Sequence, residues 1–219
     1  MRKVVAAAFV SLDGVMQAPG GPTEDPTRGF ALGGWTVNYW DDAMGRFMGE
    51  MFSTPFDLLL GRKTYEIFAA HWPFVENDPI ADSFNTITKY VATSSTAPLT
   101  WKNSVALHDP VAEVARLKRE DGPALLTQGS SQLLQTLIAH GLVDQFQVWT
   151  FPVVLGRGKK LFGEGLPSFG LKLTDTKVST TGVTLSQYVP AGPVPLGSFA
   201  LPELTEAEIA RRKRMAREG

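Results

Sequence analysis

The sequence contains no cysteine and only three histidines among its 219 residues. Without cysteine there can be no disulfide bridge, thiolate metal site or cysteine nucleophile. The absence is also compatible with a reducing, cytoplasmic location. The histidines, His71, His108 and His140, stand far apart and lack the His-x-x-x-His or His-x-x-Glu spacing of a metal-binding helix. We therefore expect no metal site.

Strong net charge and long apolar runs are absent as well. The formal net charge is −1, so no overall positive field would attract nucleic acid or an anionic membrane. No apolar run approaches the ~20 residues that span a bilayer. The short apolar start of the chain is interpreted as a buried strand that ends at residues 11–14. With 43% hydrophobic and 20% charged residues, the composition is that of one folded globular domain.

Several common nucleotide-binding and hydrolase motifs are also missing. No G-x-G-x-x-G follows the first apolar run, and Gly156-Arg157-Gly158 begins that pattern but has Leu161 where the third glycine belongs. Neither a Walker A loop nor a Gly-x-Ser-x-Gly elbow is found. We therefore expect neither ATP hydrolysis of the P-loop type nor serine hydrolase chemistry.

Strand and helix signals alternate along most of the chain. The residues 41–52 place apolar side chains at helical spacing, as do 62–72. Segments 171–178 and 183–189 alternate apolar and polar residues around a Thr-Gly turn, which predicts an antiparallel hairpin. The fold class is therefore α/β, a three-layer α/β/α arrangement with a mostly parallel central sheet and a C-terminal antiparallel hairpin. The other predicted strands are 57–61, 89–93, 124–127, 146–149 and 153–155.

Two segments stand outside this alternation. Eight of the 22 residues at 17–38 are Gly or Pro, and a loop of that length is usually functional or disordered. The tail, 191–219, is predicted to be a connector and terminal helix separate from a domain at 1–190. Its capping box at 205–208 opens a helix that ends in the basic run 211–214. A solvated helix is favoured there over a nucleic-acid or membrane contact.

Three strand-to-helix junctions have residues that suit an anionic ligand. In an open α/β sheet, ligands bind outside the carboxyl ends of the strands. Gly61 lets a ligand approach the backbone, and Arg62 and Lys63 can hold phosphate. Glycine and serine are also ordinary loop residues, but three such junctions would share one rim. The candidate ligand-binding residues are Gly61, Arg62, Lys63, Thr64, Thr93, Ser94, Ser95, Gln128, Gly129, Ser130 and Ser131.

Five motifs stand in order along the chain and resemble a known family. They are SLDG at 11–14, LLGRKTYE at 59–66, TQGSSQL at 127–133, GLVD at 141–144 and PVVLGRGKKLF at 152–162. Together they resemble the dihydrofolate-reductase-like superfamily. The most similar branch is the C-terminal reductase domain of the bifunctional riboflavin-biosynthesis deaminase/reductase, with its stand-alone bacterial relatives. The resemblance covers about residues 2–190.

The resemblance implies NADPH as the cofactor. Residues 61–64 would hold phosphates, with Arg62 or Lys63 near the 2′-phosphate. Residues 93–95 would surround the adenosine half, and 129–131 would hold the pyrophosphate. Members of the superfamily usually have two adjacent glycines at this last turn, whereas here Ser130 takes the second place.

The candidate catalytic residues are three aspartates. Dihydrofolate reductases place a carboxylate on the first helix, where this chain has Asp41 and Asp42, although either residue can equally be a helix cap. Asp13 matches an aspartate that faces the substrate in riboflavin-type reductases, but Asp-Gly is also a common turn. The proton for a reduction would come from one of these three carboxylates or from water.

Aromatic residues are dense just before the first helix. Trp35, Tyr39 and Trp40 could stack on a flat heterocycle, seal the core or cover a subunit interface. We include Trp35 and Trp40, with Asp13, as candidate substrate-binding residues. The substrate pocket is expected to be built from Asp13, the 17–38 loop and the helix that follows.

The expected activity is an NADPH-dependent reductase that transfers a hydride to a small heterocyclic or sugar-linked substrate. The family resemblance is compatible with three reactions. They are the reduction of 5-amino-6-(5-phosphoribosylamino)uracil in riboflavin biosynthesis, a dihydrofolate-type reduction, and the reduction of a substrate of another kind. The sequence lacks the zinc-binding motif of a fused deaminase domain. The alternative is a dinucleotide-binding dimeric protein without turnover. The resemblance also implies a homodimer, and no membrane or nucleic-acid partner is expected.

Overall fold

The computed structural model describes residues 1–218, which form eight β-strands and six α-helices. The strands are β1 (Val4–Ser11), β2 (Phe56–Gly61), β3 (Lys89–Ala92), β4 (Ser104–Leu107), β5 (Ala124–Gln128), β6 (Gln145–Phe151), β7 (Leu171–Val178) and β8 (Thr184–Pro190). The helices are α1 (Asp42–Phe52), α2 (Arg62–Ala69), α3 (Pro79–Thr86), α4 (Pro110–Arg119), α5 (Ser131–Ala139) and α6 (Glu206–Glu218). Short 3-10 turns occupy Thr27–Gly29, Val37–Tyr39 and Trp72–Phe74.

All eight strands belong to one sheet in the order β4-β3-β2-β5-β1-β6-β8-β7. The strands from β4 to β6 in this order run parallel to one another. β8 runs antiparallel to both β6 and β7, so the last two strands form the expected hairpin. The predicted fold class is confirmed: a mostly parallel sheet carries an antiparallel C-terminal edge.

Alternating side chains of β1 belong to two different cores. Val4 and Ala6 pack in a cluster with Leu134 of α5 and with α4, whereas Val5 and Ala7 point to the opposite cluster, which includes α2 and α3. A parallel strand covered on both faces has this near-continuous apolar character. Helices α4 and α5 therefore cover one face of the sheet, and α2 and α3 cover the other.

Helix α1 lies on the same face as α2 and α3, over the far end of the sheet. Its buried residues Met44 and Met48 pack against Trp149 and Phe151 of β6. Phe52, at the end of α1, contacts this cluster and the neighbouring one. The apolar side of the helix thus joins the antiparallel edge to the parallel centre.

The structure differs from the sequence-based prediction at three places. The predicted strand at 153–155 is wrong, because the amide of Leu155 donates to Asp13 instead of a neighbouring strand. Strand β4 was not predicted, since its four residues are partly polar and only Leu107 is buried. The helix predicted at 62–72 ends at Ala69, and a 3-10 turn with Pro73 follows it.

The tail forms a helix, as the capping box predicts, and the amide of Glu208 donates to Thr205 Oγ1 at 3.3 Å. No described residue of α6 is buried. Gly219, the last residue of the predicted tail segment, lies outside the described residues. Among residues 1–218, no helix is both long enough and apolar enough to cross a bilayer.

Candidate functional site

The neighbouring strands β2 and β5 send the chain to opposite faces of the sheet. Gly61 ends β2 and leads into α2, whereas Gln128 ends β5 and leads into α5 on the other face. A crevice opens outside the carboxyl ends of adjacent strands at such a divergence. The Ser130 hydroxyl spans it and accepts a hydrogen bond from the Gly61 amide at 2.9 Å. The starts of the two helices are thus fixed to each other.

A cleft of about 1310 Å³ follows this edge of the sheet. Small-molecule pockets usually measure ~300–1,000 Å³, so this cleft has room for a cofactor and a second molecule. All the residues that the sequence predicts as cofactor ligands line it, namely Gly61, Arg62, Lys63, Thr64, Thr93, Ser94, Ser95, Gln128, Gly129, Ser130 and Ser131.

The two helices that begin at the cleft differ from the others in their capping. In the described chain no side chain accepts a hydrogen bond from the first amides of α2 or α5. By contrast, α1, α3 and α4 begin with the aspartate caps Asp41, Asp78 and Asp109. Uncapped N-termini keep N–H groups available and favour negative charge. This edge of the sheet is therefore suited to an anion such as a phosphate.

The turn before α5 keeps the backbone of a two-glycine turn. Gly129 has φ +81°, and a Cβ placed there would meet no atom within 4 Å. Ser130 is left-handed too, with φ 69° and ψ 61°, a conformation that usually selects glycine. The hydrogen bond to Gly61 explains how a serine is held in it. Serine in place of the usual second glycine thus changes the side chain at this turn, whereas the backbone conformation stays like that of glycine.

Arg62 and Lys63 lie at the start of α2 with different partners. Arg62 Nε donates to Glu66 Oε1 at 2.6 Å, and Arg62 Nη1 donates to the carbonyl of Ala97 at 3.1 Å. Lys63 Nζ lies 3.6 Å from Asp25 Oδ1, and 52% of its side chain is exposed. Both cations are therefore positioned by neighbours at the cleft, and Lys63 stays accessible to an incoming anion.

The turn after β3 is held in place by its own hydroxyl. Thr93 Oγ1 accepts from the Ser95 amide at 3.0 Å, while Ser94 and Ser95 stay exposed. His108 Nδ1 lies 3.0 Å from the Thr93 carbonyl, and His108 also lines the cleft. His108 was not predicted as a site residue, because no motif spacing links it to another histidine or to an acidic residue in the sequence.

Most of residues 16–28, which we name the covering segment, line the cleft. Gln17 lies at their base and donates from Nε2 to the carbonyls of Asp25 and Thr27, at 2.9 Å and 3.0 Å. Its Oε1 accepts from the Lys159 amide at 3.1 Å. The long loop at 17–38 is therefore folded at this end, although its Gly and Pro content alone could not distinguish order from disorder.

Asp25 ties the covering segment to two lysines. Its carboxylate pairs with Lys159 and lies 3.6 Å from Lys63 Nζ. Burial by itself would raise the pKa of Asp25, but hydrogen bonds from Lys159 and Thr27 outweigh it and hold the pKa below its usual value. Asp25 and Lys159 were not predicted as site residues. Lys159 lies in the PVVLGRGKKLF motif, whereas Asp25 has no sequence signal.

The opposite end of the cleft is apolar. Trp40, helices α1 and α3, and the end of α2 with the following turn contribute its lining, which we name the apolar wall: Trp40, Met48, Phe52, Phe68, Trp72 and Ile80. Trp40 stacks on the buried Trp149 with ring planes at 8°, and 45% of it stays exposed. Trp72 packs edge-on against Phe84 at 5.0 Å. Trp40 and the helix α1 were expected to contribute to a substrate pocket, whereas Phe68, Trp72 and Ile80 were not predicted as site residues.

The candidate catalytic Asp13 does not line the cleft. Its Oδ1 accepts from the Ser11 hydroxyl at 2.6 Å and from the Leu155 amide at 3.0 Å, and its Oδ2 accepts from the Gly156 amide at 2.8 Å. The hydrogen bond from Ser11, followed by that from Leu155, lowers the pKa of Asp13 to about 2. Here the carboxylate joins the end of β1 to the loop after β6.

Asp41, Asp42 and Trp35 also lie outside the cleft lining. Asp41 caps α1 through the Met44 amide at 2.8 Å, and its Oδ2 accepts from the Thr180 hydroxyl at 2.6 Å. Asp42 stands in the first turn of α1. Trp35 packs edge-on against Phe151 at 5.3 Å. The structure therefore brings Trp40 to the cleft, but not these three residues, and their assigned roles stay predictions.

The geometry of the cleft fits a phosphorylated dinucleotide. The open space at Gly129 admits a ligand close to the backbone, and the uncapped helix starts offer N–H donors. Gln128 Nε2 is buried and has no hydrogen-bond partner among residues 1–218. A buried donor without a partner is costly, and a polar ligand in this part of the cleft could satisfy it.

Residues 2–185 match the family model described as the RibD C-terminal domain. The chain belongs to the RibD C-terminal domain family. Two similar proteins of Bacillus subtilis are uncharacterized. YyaP is 26% identical over 193 residues, covering 85% of this chain and 94% of YyaP. YwjB is 29% identical over 191 residues, covering 87% of this chain and 99% of YwjB.

Solved structures similar to this RibD C-terminal domain chain share its fold. A putative riboflavin biosynthesis protein from Shewanella has TM-score 0.56 at 19% identity, covering 86% of this chain and 99% of its own. Dihydrofolate reductase from Enterococcus faecalis, complexed with NADP(H) and RAB-propyl, has TM-score 0.55 at 16% identity, with 86% and 96% covered. A pyrimidine reductase-like protein from Corynebacterium diphtheriae has TM-score 0.57 at 12% identity, with 87% and 92% covered. The family match, together with the fold shared with these structures, confirms the resemblance to the dihydrofolate-reductase-like superfamily, and the fold is reductase-like.

Proposed function

We propose that this protein is an NADPH-dependent reductase that transfers a hydride to a small substrate with a C=O or C=N bond. The observation that carries the proposal is the pair of uncapped helix starts at Gly61 and Ser130, joined across the crevice by one hydrogen bond. Family membership supports it, as does the fold shared with a dihydrofolate reductase that binds NADP(H).

In this proposal the three junctions bind the cofactor. Amides at the starts of α2 and α5 would donate to its phosphates, with Arg62 and Lys63 adding positive charge. When bound, the cofactor supplies the hydride. The covering segment excludes water from one side of the cleft, and the apolar wall orients the substrate.

The proton requires a separate source. Asp13 and Asp41 are engaged by backbone amides away from the cleft. His71 lines the cleft beside Trp72, with ring centroids 4.9 Å apart. In our proposal His71 holds the proton that is delivered to the reduced oxygen or nitrogen, directly or through a water molecule.

The decisive experiment is a titration with NADPH and NADH that follows nicotinamide fluorescence. Wild type is compared with an Arg62→Ala/Lys63→Ala double variant and with a control, Lys172→Ala, on the exposed strand β7. We expect wild type and control to bind NADPH more tightly than NADH, and the double variant to lose that preference. If wild type binds neither nucleotide, the reductase proposal is wrong.

A second candidate is a dinucleotide-binding protein without turnover. It is favoured by one observation, that no predicted catalytic carboxylate lines the cleft. It predicts NADPH binding without oxidation in the presence of pterin, pyrimidine or carbonyl compounds. Oxidation of NADPH that depends on one of these compounds would exclude it. The predicted homodimer is a separate proposal, tested by sedimentation of the intact chain.

A further inference from the structure

We infer that the substrate is a flat, uncharged ring compound that carries its carbonyl or imine without a carboxylate or phosphate group. This inference rests on the proposed function and specifies the ligand of the end of the cleft opposite the phosphate-binding junctions. It departs from both the phosphoribosyl-bearing and the carboxylate-bearing substrates that the family resemblance suggests.

The apolar wall supplies the first part of the argument. Helix α1 presents Met48 and Phe52 to the cleft, and α3 presents Ile80. None of these side chains has a hydrogen-bond donor, and the only acceptor among them is the weak thioether sulfur of Met48. Burying an ionised group against such a surface without a partner is strongly unfavourable.

The placement of charge supplies the second part. Of the described residues at 40–52 and 67–84 that line the cleft, His71 is the only titratable one. Within these two segments, Asp41 and Asp78 accept hydrogen bonds from first-turn amides of α1 and α3. A pterin that needs a carboxylate on α1 would find none here, because the α1 residues facing the cleft are apolar.

The shape of the wall supplies the third part. Trp149 packs against one side of Trp40, and almost half of Trp40 stays exposed along the cleft. Trp72 and Phe68 pack edge-on at 6.1 Å, and both add aromatic surface to the lining of the cleft. Aromatic side chains disposed in this way favour a planar guest through stacking and edge contacts.

Cations lie at the covering segment and at the start of α2 instead. Lys63 and Lys159 are both near Asp25, and Arg62 is paired with Glu66. Arg28 also lines the cleft, and none of the ion pairs among residues 1–218 includes it. It is the cation that could hold an anionic substituent, and the experiment must therefore test it.

The experiment compares three probes with the same naphthalene ring: 2-acetonaphthone, which is neutral, 2-naphthoate and 2-naphthyl phosphate. Binding to the full chain is measured by isothermal titration calorimetry, with and without saturating NADPH. NADPH oxidation is then followed with 2-acetonaphthone. In that reaction the hydride adds to the carbonyl carbon and a proton adds to the oxygen, which gives the alcohol and NADP⁺. We expect the ketone to bind at least ten-fold more tightly than either anion.

Two variants locate the binding. Trp40→Ala is expected to weaken ketone binding several-fold, whereas Phe74→Ala, an exposed aromatic outside the cleft lining, leaves it unchanged. Equal or tighter binding of an anionic probe, lost in Arg28→Ala, would overturn the inference. Ketone binding without NADPH binding would support the ligand class and refute the reductase proposal. NADPH binding together with a preference for an anionic probe would support the reductase proposal and refute the inferred ligand class.

Discussion

The Ser130 hydroxyl accepts a hydrogen bond from the Gly61 amide at 2.9 Å, which joins the first turns of α5 and α2 across the sheet edge. The two residues are 69 positions apart in sequence, and they come together only because β2 and β5 are neighbours. The same contact stabilises the left-handed conformation of Ser130. One side chain thus maintains the spacing between the two proposed phosphate sites.

Replacing Ser130 by alanine should lower the free energy of unfolding more than replacing it by glycine. Ser130→Ala removes the hydrogen bond and keeps a left-handed non-glycine residue, so we expect a loss of about 1–2 kcal/mol in the free energy of unfolding. Ser130→Gly also loses the bond but relaxes the backbone, which returns roughly 1 kcal/mol. Urea unfolding of both variants measures the difference.

NADPH affinity should follow the same order, with Ser130→Ala the weaker binder. Ser198→Ala and Ser198→Gly, in the exposed tail, serve as matched controls. If the alanine and glycine variants at position 130 were equally stable, the left-handed conformation would not matter to the energetics of this turn.

The fold could largely be predicted from the sequence because the parallel strands are short apolar runs bounded by turns. The hairpin of β7 and β8 could be predicted as well, because apolar and polar residues alternate in both of its strands around the turn at Gly182. Strand β4 was missed because it lies at the sheet edge and only Leu107 is buried. The prediction of a strand at 153–155 is wrong because the Leu155 amide donates a hydrogen bond to Asp13, 142 positions earlier in the chain.

The cleft lining at the starts of α2 and α5 could be predicted because its residues follow directly from strand-to-helix junctions such as Gly61 and Ser130. The rest depends on tertiary contacts. Asp25 is paired with Lys159, 134 positions away, and no local pattern shows that relationship. Trp40 and Trp35 look alike in sequence, but only the packing of Trp35 on Phe151 determines which of them faces the cleft.

Asp13 should make stability depend on pH in the acid range. Its folded-state pKa of about 2 lies below the ordinary value of 3.8, so its contribution to stability is fully present above about pH 4. That contribution is lost as the pH falls toward 2. Asp13→Asn should therefore lower the urea midpoint most at neutral pH, and the difference from wild type should shrink on acidification.

The matched control for Asp13 is Asp175→Asn, on the exposed strand β7. It should change neither the urea midpoint nor its dependence on pH. A wild-type advantage over Asp13→Asn that stayed constant down to pH 2 would show that the carboxylate charge is not what stabilises this loop.

Asp25→Asn should tighten NADPH binding while it loosens the covering segment. The carboxylate lies 3.6 Å from Lys63 Nζ, where it competes with an incoming phosphate for positive charge. Removing one charge at about 4 Å in a solvent-like dielectric is worth about 1 kcal/mol, or roughly five-fold in affinity. The gain in affinity should shrink at high salt.

NADPH titration at low and high ionic strength measures this gain. The control is Glu50→Gln, because Glu50 is paired with Lys177 outside the cleft lining. An unchanged or weaker affinity would mean that Lys63 does not contact a phosphate.

His71→Gln should slow turnover without weakening NADPH binding. His71 is the titratable group that the apolar end of the cleft provides, and delivery of a proton by a positioned side chain is typically worth on the order of 10²-fold or more in rate. Glutamine keeps a similar size and polarity but cannot deliver a proton. The measurement is kcat for the reduction of 2-acetonaphthone alongside NADPH affinity. His140→Gln is the control, because His140 lies at the end of α5 outside the cleft lining. If kcat were the same in wild type and His71→Gln, the proton would come from water, and the role of His71 would be limited to packing beside Trp72.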